Sequence, residues 1–424
     1  MVQSIGVDFG TTNSVVALRQ DDGSVSVLRH GPALREVFRT VLCFWAEEAR
    51  GRQILHHAAG PAAIESYLED PLDSRLIMSM KSYLAQKTFT ETRIFGRVFT
   101  LEKLIATFLR ALLADTGAAA RIVVGRPVRF AGEFPDDSLG AERLRSACAE
   151  AGMADVTLML EPEAAGASFA RSLNEPATVL IGDFGGGTSD FSLLRFEPGR
   201  PVTPLGHAGI GIAGDVFDYR IIDRAISPLL GKDDHYRVMG KSMPVPVAYF
   251  AGFARWHQLS MMRAPATLRA IEEVARTADH PDRLRHLIAL IQDGLGYALY
   301  QAVSGAKAAL SNAEQTALRF GHKGFAVERV ISRTEFESWI APDLKRLGAT
   351  VDQTLRDASV PPGDVDRVFL TGGTAFVPAV RRLFAERFGV DKLTGGGEFV
   401  SVAEGLALAG PGAGAAEMPR SSSV

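Results

Sequence analysis

Two stretches of the chain repeat one short pattern, and this repeat constrains the fold more than any other feature. The stretches IGVDFGTTNS (residues 5–14) and TVLIGDFGGGTSD (residues 178–190) both lead from apolar residues through Asp-Phe-Gly into hydroxyl side chains. Each pattern predicts a β-hairpin with a glycine-rich turn. Asp8 and Asp183 are 175 residues apart, which is far too long for a solenoid repeat and indicates duplication of a whole domain.

Further strands and helices follow each hairpin in the same order. The runs VTLML (156–160) and RVFLTGG (367–373) predict strands. The segments EPEAAGASFA (161–170) and SVAEGLALAG (401–410) predict helices whose small residues allow very close packing. Between Ala58 and Leu113 the pattern predicts mostly helix, with a short β-like piece at TRIFGRVFT.

These elements predict an α/β protein of two duplicated lobes around a cleft. Lobe I is expected to span residues 1–174 and lobe II residues 175–410, followed by a disordered tail at 411–424 that is rich in Gly, Ala and Ser. The expected inner parts are 1–40 with 115–174 and 175–220 with about 330–410, and the expected outer parts are about 41–114 and the mainly helical 221–329.

Composition and charge restrict the class of protein. A chain of 424 residues with 46% apolar and 22% charged residues is typical of a soluble globular protein with more than one core. The net charge of −3 argues against nucleic acid as a partner. Cys43 and Cys148 have no metal-site spacing, and no apolar run is long enough to span a bilayer. We expect a cytoplasmic protein without a membrane partner.

The two glycine turns have the chemistry of a phosphate and metal site. Glycine lets backbone N–H groups approach an anion closely, and Asp8 and Asp183 supply the carboxylates that Mg²⁺ prefers. Thr11, Thr12 and Thr188 offer hydroxyl groups to phosphate. A single such motif is more often a plain hairpin turn, but two copies in matched strand contexts favour a pair of facing phosphate turns.

Other motifs carry less weight. GIGIAG (209–214), with Asp234 about twenty residues later, fits a dinucleotide fingerprint formally, but the preceding PVTPLGHA is a poor buried strand. MGKS (239–242) lacks the upstream glycine of a phosphate loop, where His235 stands instead. The histidines have no ligand spacing, and no GxSxG nucleophile elbow is present.

The motifs together resemble the heat shock protein 70 family. IGVDFGTTNS and GDFGGGTSD resemble its two phosphate motifs, TGGTAFVPAV its adenosine motif, and IVVGRPV and SVAEGLALAG its two connecting elements. The resemblance covers about residues 4–410 and only the family's nucleotide-binding domain. It implies the actin-like ATPase (ribonuclease H-like) fold, with a helical or α+β outer subdomain on each lobe and with ATP or ADP and Mg²⁺ in the cleft.

The resemblance also implies roles for individual residues. It implies that Asp8 and Asp183 hold Mg²⁺ through waters, and that Asp190 lies close behind the γ-phosphate residues. The implied catalytic residues are Lys81, Glu161, Asp183 and Thr188. The implied nucleotide-binding residues are Gly10, Thr11, Thr12, Asn13, Gly185, Gly186, Gly187, Gly214, Lys307, Ser311, Gly372, Gly373, Thr374 and Phe376.

The chain departs from the family pattern in two places. Around the base, Ser304 replaces a ribose-binding glutamate, Ala308 replaces an arginine, and Phe376 replaces a second arginine while still able to stack on a base. After SVAEGLALAG there is no interdomain linker or peptide-binding domain, so we expect a short family member. Thr157 and Leu160 replace residues that couple the family's domains, which argues against regulation by a J-domain partner.

The leading hypothesis is a chaperone-type protein that binds ATP and hydrolyses it slowly. Its lobe closure is expected to act on an unidentified partner protein, with residues 221–311 as the candidate surface. One alternative is a small-molecule kinase, which needs a base in the cleft, and no candidate is evident beyond Asp183 and Glu161. Another is a nucleotide-dependent scaffold or filament without hydrolysis, which the intact set of catalytic residues disfavours.

Overall fold

The computed structural model describes most of the chain from residue 2 to residue 409. The gaps are residues 32–33, 50–51, 118, 120, 133, 154, 171–174, 198–199, 201, 254–261, 323–324 and 395–399. The tail predicted to be disordered, residues 411–424, lies outside the described residues. Along the described part, no helix has both the length and the apolar character needed to cross a bilayer.

Strands predominate in the first half of the described chain. The strands are β1 (Val2–Phe9), β2 (Asn13–Gln20), β3 (Val25–Val27), β4 (Phe38–Arg39), β5 (Val41–Ala49), β6 (Arg52–Ala59), β7 (Ser74–Met78), β8 (Glu91–Ile94), β9 (Arg97–Thr100), β10 (Arg121–Arg126) and β11 (Val156–Leu160). The helices are α1 (Pro61–Glu69), a 3₁₀ helix (Met80–Tyr83), α2 (Leu101–Leu112), α3 (Asp137–Glu150) and α4 (Glu161–Ala170).

Helices predominate in the second half. The strands are β12 (Ala177–Phe184), β13 (Ser189–Phe196), β14 (Thr203–Ile210), β15 (His235–Val238), β16 (Lys241–Pro244), β17 (Gln315–His322), β18 (Phe325–Ser332), β19 (Arg367–Thr371) and β20 (Leu393–Thr394). The α-helices are α5 (Gly214–Ile221), α6 (Ala248–Ala251), α7 (Pro265–Ala275), α8 (Pro281–Gln292), α9 (Gly296–Asn312), α10 (Arg333–Asp357), α11 (Pro378–Phe388) and α12 (Ser401–Leu408). Shorter helical turns are Ile222–Ile226, Ser227–Leu230, Pro362–Asp364, Gly373–Phe376 and Val390–Lys392.

The two inner sheets have the same topology, as duplication of a whole domain requires. The first sheet has the strand order β11-β10-β1-β2-β3, with β4 beside β2, and the second has the order β14-β13-β12-β19-β20. In each sheet the strand that carries Asp-Phe-Gly pairs antiparallel with the next strand and parallel with a later one. Both glycine turns consequently lie at the carboxyl ends of parallel strands, where α/β sheets bind ligands.

Helices α4 and α12 pack closely against each other and against the inner sheets, as their small residues predict. A Cβ atom at Gly405 of α12 would lie 1.7 Å from the carbonyl oxygen of Ala164 in α4. On the other side of α12, a Cβ atom at Gly6 of β1 would lie 2.2 Å from Ala403 O. The Ser4 hydroxyl donates to Ala407 O over 2.5 Å. These contacts join the two lobes at their centre.

The outer part of lobe I differs from the sequence prediction. The region from Ala58 to Leu113 was expected to be mostly helical with a β-like piece at residues 92–100. The hairpin of β8 and β9 confirms that piece, whereas β7 was not predicted. Strand β7 pairs with β5, which also pairs with β6, so that the three form one sheet. The apolar run of β7 is too short to identify its conformation locally, and pairing with β5 decides it.

The outer part of lobe II is mainly helical, as predicted, and also carries two hairpins. These are formed by β15 with β16 and by β17 with β18. The outer parts of the two lobes touch, since the Tyr67 hydroxyl of α1 donates to Gly294 O over 2.7 Å. The Tyr297 ring of α9 packs in an apolar cluster with Val41 and Cys43 of lobe I.

Candidate functional site

The glycine turns of the two hairpins face each other across the cleft between the inner sheets. A Cβ atom at Gly186 in the second turn would lie 2.1 Å from Thr12 Oγ1 in the first turn. A side chain at this position would therefore clash, which explains the need for glycine. Beside the turns lies a cavity of about 270 Å³.

Most of the residues that the sequence predicted as site residues line this cavity. Gly187 and Phe376 are predicted site residues that are not among those lining it. The predicted residues that do line it are Asp8, Gly10, Thr11, Thr12, Asn13, Lys81, Glu161, Asp183, Gly185, Gly186, Thr188, Gly214, Lys307, Ser311, Gly372, Gly373 and Thr374.

Four carboxyl groups and one ammonium group meet where the turns face each other. Glu161, Asp190 and Lys81 are buried, while Asp8 and Asp183 are partly exposed toward the cavity. The Lys81 Nζ atom lies 2.5 Å from Glu161 Oε1. The 3₁₀ helix that follows β7 presents Lys81, and the start of α4 presents Glu161 directly after β11.

The carboxylates raise one another's affinity for protons. Withdrawal from water and the nearby Glu161 charge raise the pKa of Asp8 to about 7. Withdrawal from water, Glu161 and Asp8 also raise the pKa of Asp183 well above its ordinary value. Burial lowers the pKa of Lys81, but the charges of Glu161, Asp8 and Asp183 outweigh it and raise the pKa overall. A single ammonium group therefore balances an excess of negative charge.

This arrangement fits a hydrated magnesium ion bound with phosphate. Among the described residues, no group of three or more His, Cys, Asp or Glu side chains could hold a metal ion without other ligands. Mg²⁺ keeps several waters and needs only one or two carboxylates together with phosphate oxygens. Asp8 and Asp183 are two carboxyl groups of this kind, and both line the cavity beside the glycine turns.

Asp190 links the cluster to the other lobe. Its Oδ1 atom accepts hydrogen bonds from the backbone N–H groups of Val128 over 2.9 Å and of Arg129 over 3.2 Å, both after β10 of lobe I. Its carboxyl group also accepts a hydrogen bond from the side chain of Thr188. Burial and the nearby Glu161 raise the pKa of Asp190 to about 7. The side chain thus positions Thr188 and spans the lobe boundary.

The adenosine end of the predicted site is formed by one face of α9. Tyr300, Ser304, Lys307, Ala308 and Ser311 all line the cavity, at spacings that place them on the same side of a helix. The Lys307 Nζ atom donates a hydrogen bond to the backbone oxygen of Gly214 over 3.0 Å. Ser304 and Ala308 are small, and they leave room next to Lys307.

The turn after β19 approaches the second hairpin closely. Gly372 has φ +86°, and a Cβ atom there would lie 2.0 Å from Phe184 O. Only glycine combines this conformation with this approach. The 3₁₀ helix that follows places the Phe376 side chain toward solvent with 43% of its surface exposed. Its stacking on a base stays a prediction.

Arg39, Asp215 and Tyr300 are among the cavity residues that were not predicted from the sequence. Asp215 accepts a hydrogen bond from the side chain of Thr12, and its backbone N–H donates to Gly186 O over 2.9 Å. A faint signal existed for Asp215, because it directly follows the GIGIAG segment. Arg39 and Tyr300 lie in segments with no motif, so only the fold brings them to the cleft.

Asp215 predicts a pH dependence of stability. Withdrawal from water, together with the Asp218 charge, raises its pKa from 3.8 to about 7. The folded protein therefore keeps a proton that the unfolded chain has lost between about pH 4 and pH 7. We expect the free energy of unfolding, measured with urea, to fall as the pH rises through this range.

Two variants test whether Asp215 contributes to this pH dependence. Asp8 and Asp190, whose pKa values are also raised to about 7, contribute to the same slope. Asp215→Asn should therefore remove only part of the slope, while Asp282→Asn, whose side chain is 81% exposed, should leave it unchanged. A full wild-type slope in Asp215→Asn would show that the carboxyl group ionises in the folded protein as it does in the unfolded chain.

The two weaker motifs have structural roles. GIGIAG lies at the end of β14 and the start of α5, where a Cβ atom at Gly209 would lie 2.5 Å from Asp190 Oδ1. MGKS forms the tight turn between β15 and β16, with Met239 and Gly240 at positive φ. This segment joins two strands, whereas a phosphate loop leads from a strand into a helix.

Two lobes of equal topology with facing glycine turns define a protein of the actin-like ATPase fold. A model of the Hsp70 protein family matches residues 72–234 and 294–411, which is more than half of the chain. The matched ranges leave out residues 1–71, 235–293 and 412–424.

Several chaperone proteins DnaK are similar along nearly the whole chain. The protein from Deinococcus radiodurans is 25% identical over 413 residues, which cover 92% of this chain and 56% of that protein. One from Thermus thermophilus is 24% identical with 92% and 57% coverage, and that from Thermotoga petrophila is 25% identical with 91% and 55% coverage. This chain belongs to the Hsp70 family and spans little more than half the length of these relatives.

Proposed function

We propose that the protein binds ATP with Mg²⁺, hydrolyses it slowly, and uses the accompanying lobe closure to act on a partner protein as a chaperone-type ATPase. One observation carries this proposal. Asp8, Glu161, Asp183 and Asp190 surround a single ammonium group, that of Lys81, at the point where the two glycine turns face each other. Such a site is suited to a nucleotide phosphate bound with a cation.

Different residues of the site have different roles in binding and hydrolysis. The glycine turns at residues 10–12 and 185–187 bind phosphate oxygens through backbone N–H groups, and the hydroxyls of Thr12 and Thr188 add to this binding. Bound Mg²⁺, held by Asp8 and Asp183, would neutralise phosphate charge. Lys81 stabilises the negative charge that develops during transfer of the phosphoryl group.

Glu161 orients the attacking water and accepts a proton from it. The Glu161 carboxylate reaches the cavity from the start of α4 and is held there by Lys81. This ion pair keeps the carboxylate fixed before ATP arrives. Because Lys81 bonds to the Oε1 atom, the other carboxylate oxygen is left to contact water.

The partner surface is proposed in the outer part of lobe II, within residues 221–311. The hairpin of β15 and β16 exposes apolar side chains in this region, with Met239 99% exposed and Val238 43% exposed. The surroundings are proposed to be the cytoplasm, where the free, buried thiols of Cys43 and Cys148 stay reduced.

Titration calorimetry tests the binding step. We expect ATP and ADP to bind, with an affinity that falls when Mg²⁺ is chelated, because the carboxylate cluster then repels phosphate. GTP serves as the control for the adenosine end, since Lys307 and Ser311 face the base and ribose side. Absence of binding by both adenine nucleotides would refute the proposal. Release of ADP that requires an added metabolite would indicate the kinase alternative instead.

A further inference from the structure

Arg39 lies beside the first glycine turn, where the two lobes meet. Strand β4 pairs with the start of β2, and the register sets Arg39 opposite Asn13. The Arg39 Nη1 atom donates to Asn13 Oδ1 over 2.9 Å. The backbone N–H of Thr40 donates to Thr12 O over 3.0 Å. Arg39 is therefore attached to the glycine turn by its own side chain and by its neighbour in the chain.

The other side of the guanidinium group faces helix α9 of lobe II. The hydroxyl groups of Tyr297 and Tyr300 are both hydrogen-bonded to Arg39. The two tyrosines are three residues apart and thus share one face of the helix. The Tyr297 ring is only 2% exposed because it packs against Val41 and its neighbours in lobe I. Tyr300 lines the cavity.

The charge and shape of arginine suit this position. The positive charge of Arg39 favours the ionised carboxylates of Asp215 and Asp218 in lobe II. A planar guanidinium group has several N–H donors in fixed directions, so it can bond to an amide oxygen and to two hydroxyl groups at once. Lysine carries the same charge but cannot reproduce this fork.

We propose that Arg39 is a positioning residue for the nucleotide site, which holds the first glycine turn through Asn13 and fastens that turn to α9 through Tyr297 and Tyr300. This inference rests on the proposed function, because the turn is the proposed phosphate cradle. Release of nucleotide requires the lobes to separate. The hydrogen bonds from Arg39 to α9 must then break, so Arg39 slows nucleotide release.

Release of a fluorescent ADP analogue, chased with unlabelled ADP, measures this effect. Tyr300→Phe should raise the dissociation rate about tenfold, as expected for loss of one charge-assisted hydrogen bond. Arg39→Met, which also loses the bonds to Asn13 and Tyr297, should raise the rate by at least as much. The double variant should release ADP no faster than Arg39→Met alone, because both changes remove the same bond. Arg39→Lys should release ADP more slowly than Arg39→Met but faster than the wild type. Multiplied effects in the double variant would overturn the proposal.

A second readout needs no nucleotide. In the nucleotide-free protein, amide hydrogen exchange across residues 39–43 and 295–301 should increase in both Arg39→Met and Tyr300→Phe. The increase should be larger in Arg39→Met, which also loses the bonds to Asn13 and Tyr297. Arg35→Met is the matched control, since Arg35 is exposed on the same segment. If the wild type binds no nucleotide, the proposed function fails. The exchange experiment still tests whether Arg39 fastens the first glycine turn to α9. Unchanged exchange in both variants would overturn the proposal.

Discussion

Replacing Lys81 by methionine is expected to slow single-turnover hydrolysis of ATP by roughly 100-fold to 1,000-fold, the usual effect of removing one group that stabilises transition-state charge. The ammonium group lies 2.5 Å from Glu161 and is also attracted to Asp8 and Asp183. Its removal takes away the cation next to the phosphate and frees Glu161 from its fixed position. The rate is measured by quenched-flow mixing of enzyme in excess over labelled ATP.

Lys87→Met is the matched control for this experiment. Lys87 follows the same 3₁₀ helix, but its side chain is 77% exposed and forms a surface ion pair with Asp136. Its loss should leave the rate of hydrolysis within about a factor of two of the wild type, because exposed ion pairs contribute little. A Lys81→Met protein that binds ATP and hydrolyses it as fast as Lys87→Met would remove Lys81 from the catalytic residues.

Replacing Gly405 by alanine is expected to lower the free energy of unfolding by about 3 kcal/mol, at the upper end of the usual cost of overpacking. The new Cβ atom would lie 1.7 Å from Ala164 O and 2.4 Å from Ala164 C. These are backbone atoms, which cannot move aside as a flexible side chain can. Helices α4 and α12 would have to separate at the centre of the molecule. Urea unfolding followed by circular dichroism measures the loss.

Gly305→Ala is the control, since Gly305 is also a helix glycine. It lies in α9, and a Cβ atom there would have no neighbour within 4 Å among the described residues. Alanine should stabilise this helix by about 0.5–1 kcal/mol because it restricts the unfolded chain and favours helix. Equal changes in stability for the two variants would contradict the close packing of α4 on α12.

The inner fold could be predicted from the sequence because the signals for its turns and helices are local. The Asp-Phe-Gly turns and the small-residue helices are defined by neighbouring residues, and each is present where the pattern placed it. Strand β7 was missed because its conformation depends on pairing with β5. A short apolar run alone does not distinguish a strand from a piece of helix.

The candidate site could be predicted only in part. Lys81 and Glu161 were predicted from the family resemblance, because neither stands out in its own segment, and the structure brings the two side chains into contact. Arg39 and Tyr300 come from opposite lobes and meet only after folding. No local pattern marks such residues, because their role depends on a partner that is distant in the chain. Phe376 was assigned through the adenosine motif. It does not line the cavity and is 43% exposed, so its contact with a base stays a prediction.

Single-turnover hydrolysis of ATP by the wild-type protein, with Mg²⁺ and with a chelator, tests the proposed ATPase activity. We expect slow, first-order release of phosphate that requires Mg²⁺ and is lost in Asp183→Asn, although this variant remains folded. ATP that stays bound and intact with Mg²⁺ present would refute hydrolysis by this site. The protein would then use the nucleotide only to hold its lobes together, as a scaffold does.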